Sequence, residues 1–199
     1  MSRIILASQS PRRKKLLEQI GLSFEVHPSA AEEVIKHSDP QEIVEDLALL
    51  KAKDVAHNFK DSLVIGADTI VVYQDEILGK PSDPQQALSY LQQLSGNTHS
   101  VFTGVALVKT DKNGAVERTT AFNEQTNVVF STLEIADMKA YVGTGNPMDK
   151  AGAYGIQDDL GALFVEMIEG DYYNVVGFPL NRFYRELKLF SPDLKLFSE

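Results

Sequence analysis

Leu63-Val64-Ile65-Gly66-Ala67-Asp68-Thr69-Ile70-Val71-Val72-Tyr73 reads as a buried strand interrupted by one carboxylate. An ionised Asp68 in such a run costs on the order of several kcal/mol unless a cation or hydrogen-bond donors compensate it. A fold has no structural need of that cost, so Asp68 points to a binding or catalytic site. Taken alone, it reads equally as a strand-end aspartate capping neighbouring backbone. Its companions along the chain decide between the two.

Working outward, residues 4–7 form a short buried strand, and Ser10-Pro11 matches an N-cap followed by proline at the first helical position. That helix runs to about Ile20, with Leu16, Leu17 and Ile20 on its apolar face, and Gly21 closes it. Residues 24–28 read as a second strand. Residues 40–58 read as a helix, with Ile43, Val44, Leu47 and Leu50 at helical spacing. Residues 63–73 and 77–78 make a hairpin around Gln74-Asp75-Glu76, and Pro84–Leu94 is a further helix ended by Ser95-Gly96-Asn97.

Two long strands follow, 100–109 and Val116–Phe130, joined by Asp111-Lys112-Asn113-Gly114, where Asn-Gly is a strong turn signal. Residues 134–142 are a short helix, 143–161 a glycine-rich irregular stretch, 162–168 a strand and 179–189 a final helix. Strands and helices mix without strict βαβ alternation. The fold class is therefore α/β, or mixed α+β, with one extended mixed sheet and flanking helices. Residues 1–190 are expected to form one domain, with lobes flanking a cleft, and 191–199 a peripheral tail.

Hydrophobic content of 43% and charged content of 24% are ordinary globular values. No run of apolar residues is long enough to span a membrane. The N-terminus leads straight into a polar Ser/Arg segment, which does not read as a signal peptide. Without cysteine there are no disulfides, zinc thiolates or thiol nucleophiles, and a reducing cytoplasm fits. The net charge of −9 disfavours duplex nucleic acid as a partner, because that affinity rests on many Lys/Arg–phosphate contacts. A small anionic ligand requires basic residues concentrated locally.

Ser8-Gln9-Ser10-Pro11-Arg12-Arg13 offers such a concentration at a strand-to-helix junction. The first N–H groups of the helix are unpaired and its dipole end is positive. With two hydroxyls and two guanidiniums, this makes a seat for phosphate, although two arginines at a helix start are also common on solvated surfaces. Glycine is absent, so the segment is no Walker loop. Lys51 lies at the edge of its helix's buried face, and Gly79-Lys80-Pro81 returns a lysine toward the sheet bearing Asp68. Each alone also reads as an ordinary snorkelling or turn lysine.

Glu32-Glu33, after the second strand, could pair with Asp68 to hold a hard divalent cation through oxygen. His27, His37, His57 and His99 are too scattered for a zinc site. The stretch from Asn146 to Gln157 contains Asp149-Lys150-Ala151-Gly152-Ala153-Tyr154-Gly155-Ile156-Gln157, whose glycines permit close approach to a ligand. Gln157 offers an acceptor and a donor together, matching the N3–H and O4 edge of uracil or thymine. The same pair of groups serves adenine equally well.

Taken in order, Leu6-Ala7-Ser8-Gln9-Ser10-Pro11-Arg12-Arg13, Gly66-Ala67-Asp68-Thr69, Gly79-Lys80-Pro81, the segment 149–157 and Gly170-Asp171-Tyr172-Tyr173-Asn174-Val175-Val176-Gly177-Phe178-Pro179-Leu180 resemble the Maf family of nucleoside triphosphate pyrophosphatases. Order and spacing agree from residue 4 to about residue 189. Arg12, Thr69 and Gln157 resemble the branch that hydrolyses dTTP and UTP; a sister branch acting on 7-methyl-GTP differs at these positions. Asn146 departs from the glutamate of many relatives, and Asp158-Asp159 is a local variation.

The resemblance implies an elongated α/β structure with a central mixed sheet and a deep cleft, similar to inosine triphosphate pyrophosphatases, and often a homodimer. It implies cleavage of a nucleoside triphosphate at the α-phosphorus, giving monophosphate and pyrophosphate. This would keep modified nucleotides out of nucleic acids, and the family is also linked to septum formation and division arrest. Asp68 is implied as proton acceptor, as metal ligand with Glu33, or as both, with Mg²⁺ or Mn²⁺ as the cofactor and Lys80 as a further catalytic residue. Arg12, Arg13, Lys51 and Lys80 would neutralise the triphosphate, Ser8 would donate to it, and Arg12, Thr69 and Gln157 would select the base. Asp149 and Lys150 are further cleft members. Two rival readings remain: a non-catalytic nucleotide-binding regulator of division, and a pyrophosphatase selective for 7-methyl-GTP.

Overall fold

The computed structural model describes residues 3–158 and 160–194. The part of the expected tail at 195–199, and Asp159 of the variant pair, lie outside the described residues. The strands are β1 (Arg3–Ala7), β2 (Glu25–Val26), β3 (Ser62–Tyr73), β4 (Glu76–Leu78), β5 (Thr98–Thr110), β6 (Val116–Phe130) and β7 (Val165–Glu169). The described helices are α1 (Pro11–Gln19), α2 (Pro40–Ala56), α3 (Pro84–Leu94), α4 (Ile135–Gly143), α5 (Tyr172–Val176) and α6 (Leu180–Phe190). The strand order is β2-β1-β3-β5-β6-β7, with β4 paired to β3. β1 runs parallel to β2 and β3, whereas β3–β4 and β6–β7 are antiparallel, so the sheet is mixed. Among the described residues no helix is long and apolar enough to cross a membrane.

Three helices start by one device. Ser10, Asp39 and Asp83 each precede a proline at the first helical position, and each side chain accepts from a backbone N–H of the first turn. The proline lacks an N–H that the helix could not have paired, and the cap satisfies another of these orphan donors.

Contacts divide the chain into two compact units. The first comprises the chain through Asp68, Thr103–Glu124 and the part from Gly177 onward. The second comprises Thr69–Phe102 and Gln125–Val176. In the first, β1, β2 and β3 form a parallel trio with α1 and α2 as crossovers, an alternation stricter than the sequence pattern suggests. The chain leaves β1 to one side and returns on the other, and ligands of open parallel sheets bind at such a reversal, beyond the strands' carboxyl ends.

The face of α2 toward the sheet is built from small residues: Ala48, Ala52, Val55 and Ala56 pack against Ile5, Ala7, Val64, Ala106 and Val108. This turns the buried stripe away from Leu50, which is 37% exposed although its spacing predicts burial. Glycine permits the approach. A Cβ on Gly66 would lie 2.2 Å from the Ala48 carbonyl oxygen, and one on Gly104 would lie 2.1 Å from that of Val44.

In the second unit, β3 turns into β4 through Gln74 and Asp75, both with positive φ (49° and 64°), leaving Glu76 in the strand. Val71, Leu91, Leu94, Val101, Val128 and Met138 bury together with the rings of Phe130, Tyr141, Tyr154 and Phe164. Three expectations shift here. The expected strand at 162–168 begins only at Val165, because Gly161–Phe164 close into a 3-10 turn. Tyr172–Val176 form a helix that the sequence pattern does not mark, started by the Asp171 carboxylate accepting from the Tyr173 N–H at 2.7 Å. In the first unit, β2 is only Glu25–Val26, both exposed.

His99 is 2% exposed among these rings, its Nε2 2.7 Å from the Tyr154 hydroxyl. Burial pulls its pKa down to about 4, against about 6.5 for an unfolded histidine. Between those values the unfolded chain binds the extra proton, so His99 should cost stability as pH falls from about 6.5 to about 4. The full loss is roughly 3 kcal/mol. Hydrogen bonding depresses Asp54, Asp83 and Asp111 below the ordinary aspartate value, so their contributions are lost at lower pH still. Urea unfolding of wild type and His99→Gln across this range checks the expectation. The wild-type slope should exceed the variant's, and parallel profiles would refute it.

Candidate active site

The register Ala7↔Gly66 sets Ser8, just past the end of β1, alongside Ala67 while β3 runs on. Ser8 is buried, and its hydroxyl oxygen accepts from the Ser10 N–H (3.2 Å) and from Arg13 Nη1 (3.3 Å). Its hydrogen remains to donate. Arg13 also donates from Nη1 to the Ala67 carbonyl at 2.8 Å and from Nε to the Gly177 carbonyl at 3.0 Å. The guanidinium thus ties the start of α1 to β3 and to the segment before α6, besides bringing charge. Burial pulls its pKa down, the Asp68 carboxylate opposes this, and the charge of Arg12 adds to it.

One residue beyond Ala67, Asp68 is 8% exposed. Lys51 Nζ lies 2.6 Å from its Oδ1 and 2.8 Å from Glu33 Oε1. The compensating cation that the strand demanded is therefore Lys51. It is delivered by the close seating of α2 over Gly66, since Lys51 sits between Ala48 and Ala52, the two residues that a Cβ there would strike. Glu33 comes from the loop between β2 and α2. That loop is strapped to α2 where Asp54 Oδ2 accepts from Ser29 Oγ (2.7 Å) and the Ala30 N–H (3.0 Å). Further on, His37 pairs with Glu42 and Asp46.

Sequence reasoning missed Gly66 and Asp54 as supports of this cluster. A glycine inside a β-branched strand is itself a sign of close backbone approach. Asp54 carries no comparable signal.

The convergence of Glu33 and Asp68 on one ammonium bears on a metal. Mg²⁺ takes one or two carboxylates and completes its shell with water and substrate phosphates. Two carboxylates aimed at one cationic point suit that demand. No group of three or more His, Asp or Glu able to hold a metal occurs among the described residues, so a closed protein cage is not formed.

The second unit holds Thr69, Lys80, Asp149, Lys150 and Gln157. Thr69 is half-buried, directly after Asp68, while Lys80 is exposed. Lys80 follows Gly79, whose carbonyl accepts from the Gly152 N–H at 3.2 Å, so the turn after β4 is fastened to the glycine-rich segment. Lys150 is 8% exposed and donates to Asp149 Oδ1 (2.7 Å), Asp158 Oδ2 (3.0 Å) and the Asn146 carbonyl. Its three N–H donors are thereby engaged within its own loop, and it serves as that loop's internal tie. Gln157 is exposed, with Nε2 donating to Asp158 Oδ1 at 2.9 Å. Asp158, read in the sequence only as local variation, is the hub of this loop.

Comparison with known proteins agrees with the motifs. A family model described as Maf-like protein matches residues 3–190. Proteins named dTTP/UTP pyrophosphatase from Bacillus cereus strain AH820 and from Bacillus anthracis are each 52% identical over 195 residues, 98% of this chain and 98% of theirs. That from Bacillus thuringiensis subsp. konkukian is likewise 52% identical over the same share. A looser structural likeness, to the Ham1 protein of Staphylococcus aureus, has a TM-score of 0.44 at 13% identity. It covers 64% of this chain and 71% of that one, too distant to bear on the fold. With the family match running from β1 to the end of α6, and half the residues shared with relatives of equal length, the chain belongs to the Maf family.

Proposed function

We propose that the protein is a nucleoside triphosphate pyrophosphatase acting on dTTP and UTP, releasing the monophosphate and pyrophosphate. The observation that carries the reading is the meeting of Glu33, Lys51 and Asp68 beside Ser8 and the start of α1, at the carboxyl end of a parallel strand pair. Carboxylates alone would repel a triphosphate, and cations alone would bind it without activating water. Relatives of equal length bearing the name dTTP/UTP pyrophosphatase support the substrate class.

In this reading the oxygen of a water molecule bonds to the α-phosphorus as the bond to the α–β bridging oxygen breaks. Pyrophosphate leaves with the electron pair, and the water's proton passes to the Asp68 carboxylate. Lys51, 2.6 Å away, holds that carboxylate aimed. Arg12, Lys51 and Lys80 would neutralise the phosphates, with Ser8 and the first N–H groups of α1 donating to their oxygens. Glu33 and Asp68 would hold Mg²⁺ or Mn²⁺, whose chemistry when bound is to polarise the phosphate and make water more acidic. Thr69 and Gln157 would meet the base.

The test is wild-type protein against a panel of canonical and modified nucleoside triphosphates, with Mg²⁺, with Mn²⁺ and with chelator, following monophosphate and pyrophosphate. UTP and dTTP should be turned over with metal and not with chelator. Orthophosphate as first product would overturn the reading. Tight binding without turnover would favour the non-catalytic regulator, and preference for 7-methyl-GTP would move the protein to the sister branch. A role in septum formation rests on the family resemblance alone, and action in the cytoplasm on the fit of a cysteine-free sequence to a reducing compartment.

A further inference from the structure

Asp158 gathers the polar groups of the glycine-rich loop. Its Oδ2 accepts from the Tyr141 hydroxyl (2.9 Å) and Lys150 Nζ (3.0 Å), and its Oδ1 accepts from Gln157 Nε2 (2.9 Å). The Tyr141 oxygen in turn accepts from the Gly155 N–H at 3.1 Å. Burial, then the Asp158 carboxylate, pushes the Tyr141 pKa up, so the phenol stays a donor. These groups close around one point: a Cβ on Gly155 would lie 2.7 Å from each of Asp158 Oδ2, Gln157 Nε2 and Lys150 Cε. Gly155 is thus the floor on which the three side chains pack.

A carboxylate only accepts hydrogen bonds. Turning the Gln157 amide over would set its Oε1 against Asp158 Oδ1, oxygen on oxygen. We infer that Asp158 is a positioning residue that locks the Gln157 amide in one orientation, nitrogen toward Asp158 and Oε1 toward the base, and so selects pyrimidines that carry an N3–H. An acceptor presented there meets the N3–H of uracil or thymine. It faces a lone pair on the unprotonated N3 of cytosine. The lock treats UTP and dTTP alike, since both bases carry the N3–H. The inference rests on the proposed pyrophosphatase reading and adds to it the residue that sets the sense of base recognition.

The test compares kcat/KM for UTP and CTP in wild type, Asp158→Asn, Asp158→Glu and Tyr141→Phe, at a temperature where circular dichroism shows each folded. Asparagine keeps the size of Asp158 but both donates and accepts, so Gln157 can turn over. The UTP:CTP ratio should fall by about tenfold to a hundredfold. Glutamate retains the acceptor and should keep most of the ratio. Tyr141→Phe removes a bond to the same carboxylate without freeing Gln157, so it should lower the melting temperature and leave the ratio unchanged. An unchanged ratio in Asp158→Asn, equal losses on both nucleotides, or a wild type indifferent to UTP and CTP would overturn the lock alone. A wild type that hydrolyses no nucleoside triphosphate would overturn the pyrophosphatase reading and the lock with it.

Discussion

Asp68→Asn is expected to lower kcat for UTP by at least about a hundredfold, the scale on which a positioned proton acceptor contributes. KM should change far less, because the cations around the triphosphate are untouched. The substitution is nearly isosteric, and an amide oxygen can still accept from Lys51, now 2.6 Å from the carboxylate. What disappears is the charge and the ability to take a proton. Folding should survive: neutralising Asp68 leaves Lys51 paired with Glu33 at 2.8 Å, and the side chain of Lys51 is 15% exposed. Steady-state pyrophosphate release and thermal melting, measured on the same preparation, separate the effects. A folded variant within about threefold of wild type would remove Asp68 from the chemistry, since even the weakest general-base contributions exceed that.

The placement of Asp68 was legible because a strand pattern and a charge contradict each other within eleven residues. By its spacing Lys51 was legible only as a lysine at a helix edge, and the family resemblance offered it to the triphosphate without pairing it with Asp68. What promoted it was the depth at which α2 sits, and that depth is set by Gly66, Gly104, Ala48 and Ala52 across segments distant in sequence. The same cause misled the spacing argument at Leu50: a helix pressed down on its alanine face turns the leucine outward. Helix starts were readable where cap and proline coincide, as at Ser10-Pro11, because that signal is local. The helix at Tyr172–Val176 was not, because its first turn depends on Asp171, whose N–H and carbonyl are both fixed by Thr126 from a distant strand. Likewise, Asp158 is unremarkable in sequence. Only the fold shows that Tyr141, Lys150 and Gln157 all point hydrogens at it.

Lys51→Met should be the most destabilising single change in the cluster, and the reason is the one that made Asp68 conspicuous. Removing one partner of a buried ion pair strands the other charge, a loss of about 3–5 kcal/mol for fully buried pairs. Here the side chains of Lys51 and Asp68 keep 15% and 12% of their exposure, and the charge of Arg13 is felt at Asp68. A loss of about 2–4 kcal/mol is therefore expected. The methionine fills the stem's volume, so little of this comes from packing. Glu33 supplies the internal comparison. Its side chain is 51% exposed, and Glu33→Gln should cost less than about 1 kcal/mol although it meets the same ammonium. The decisive arm is the double variant Lys51→Met/Asp68→Asn, which removes both charges of the pair. It should be more stable than Lys51→Met alone, with a coupling energy of about 1–3 kcal/mol from urea unfolding of the four proteins. Additive losses would mean that Asp68 does not depend on Lys51 for its place in the strand. A coupled result would tie stability to the site itself: the lysine that makes an ionised aspartate tolerable in β3 is the one that keeps it ready to take a proton from water.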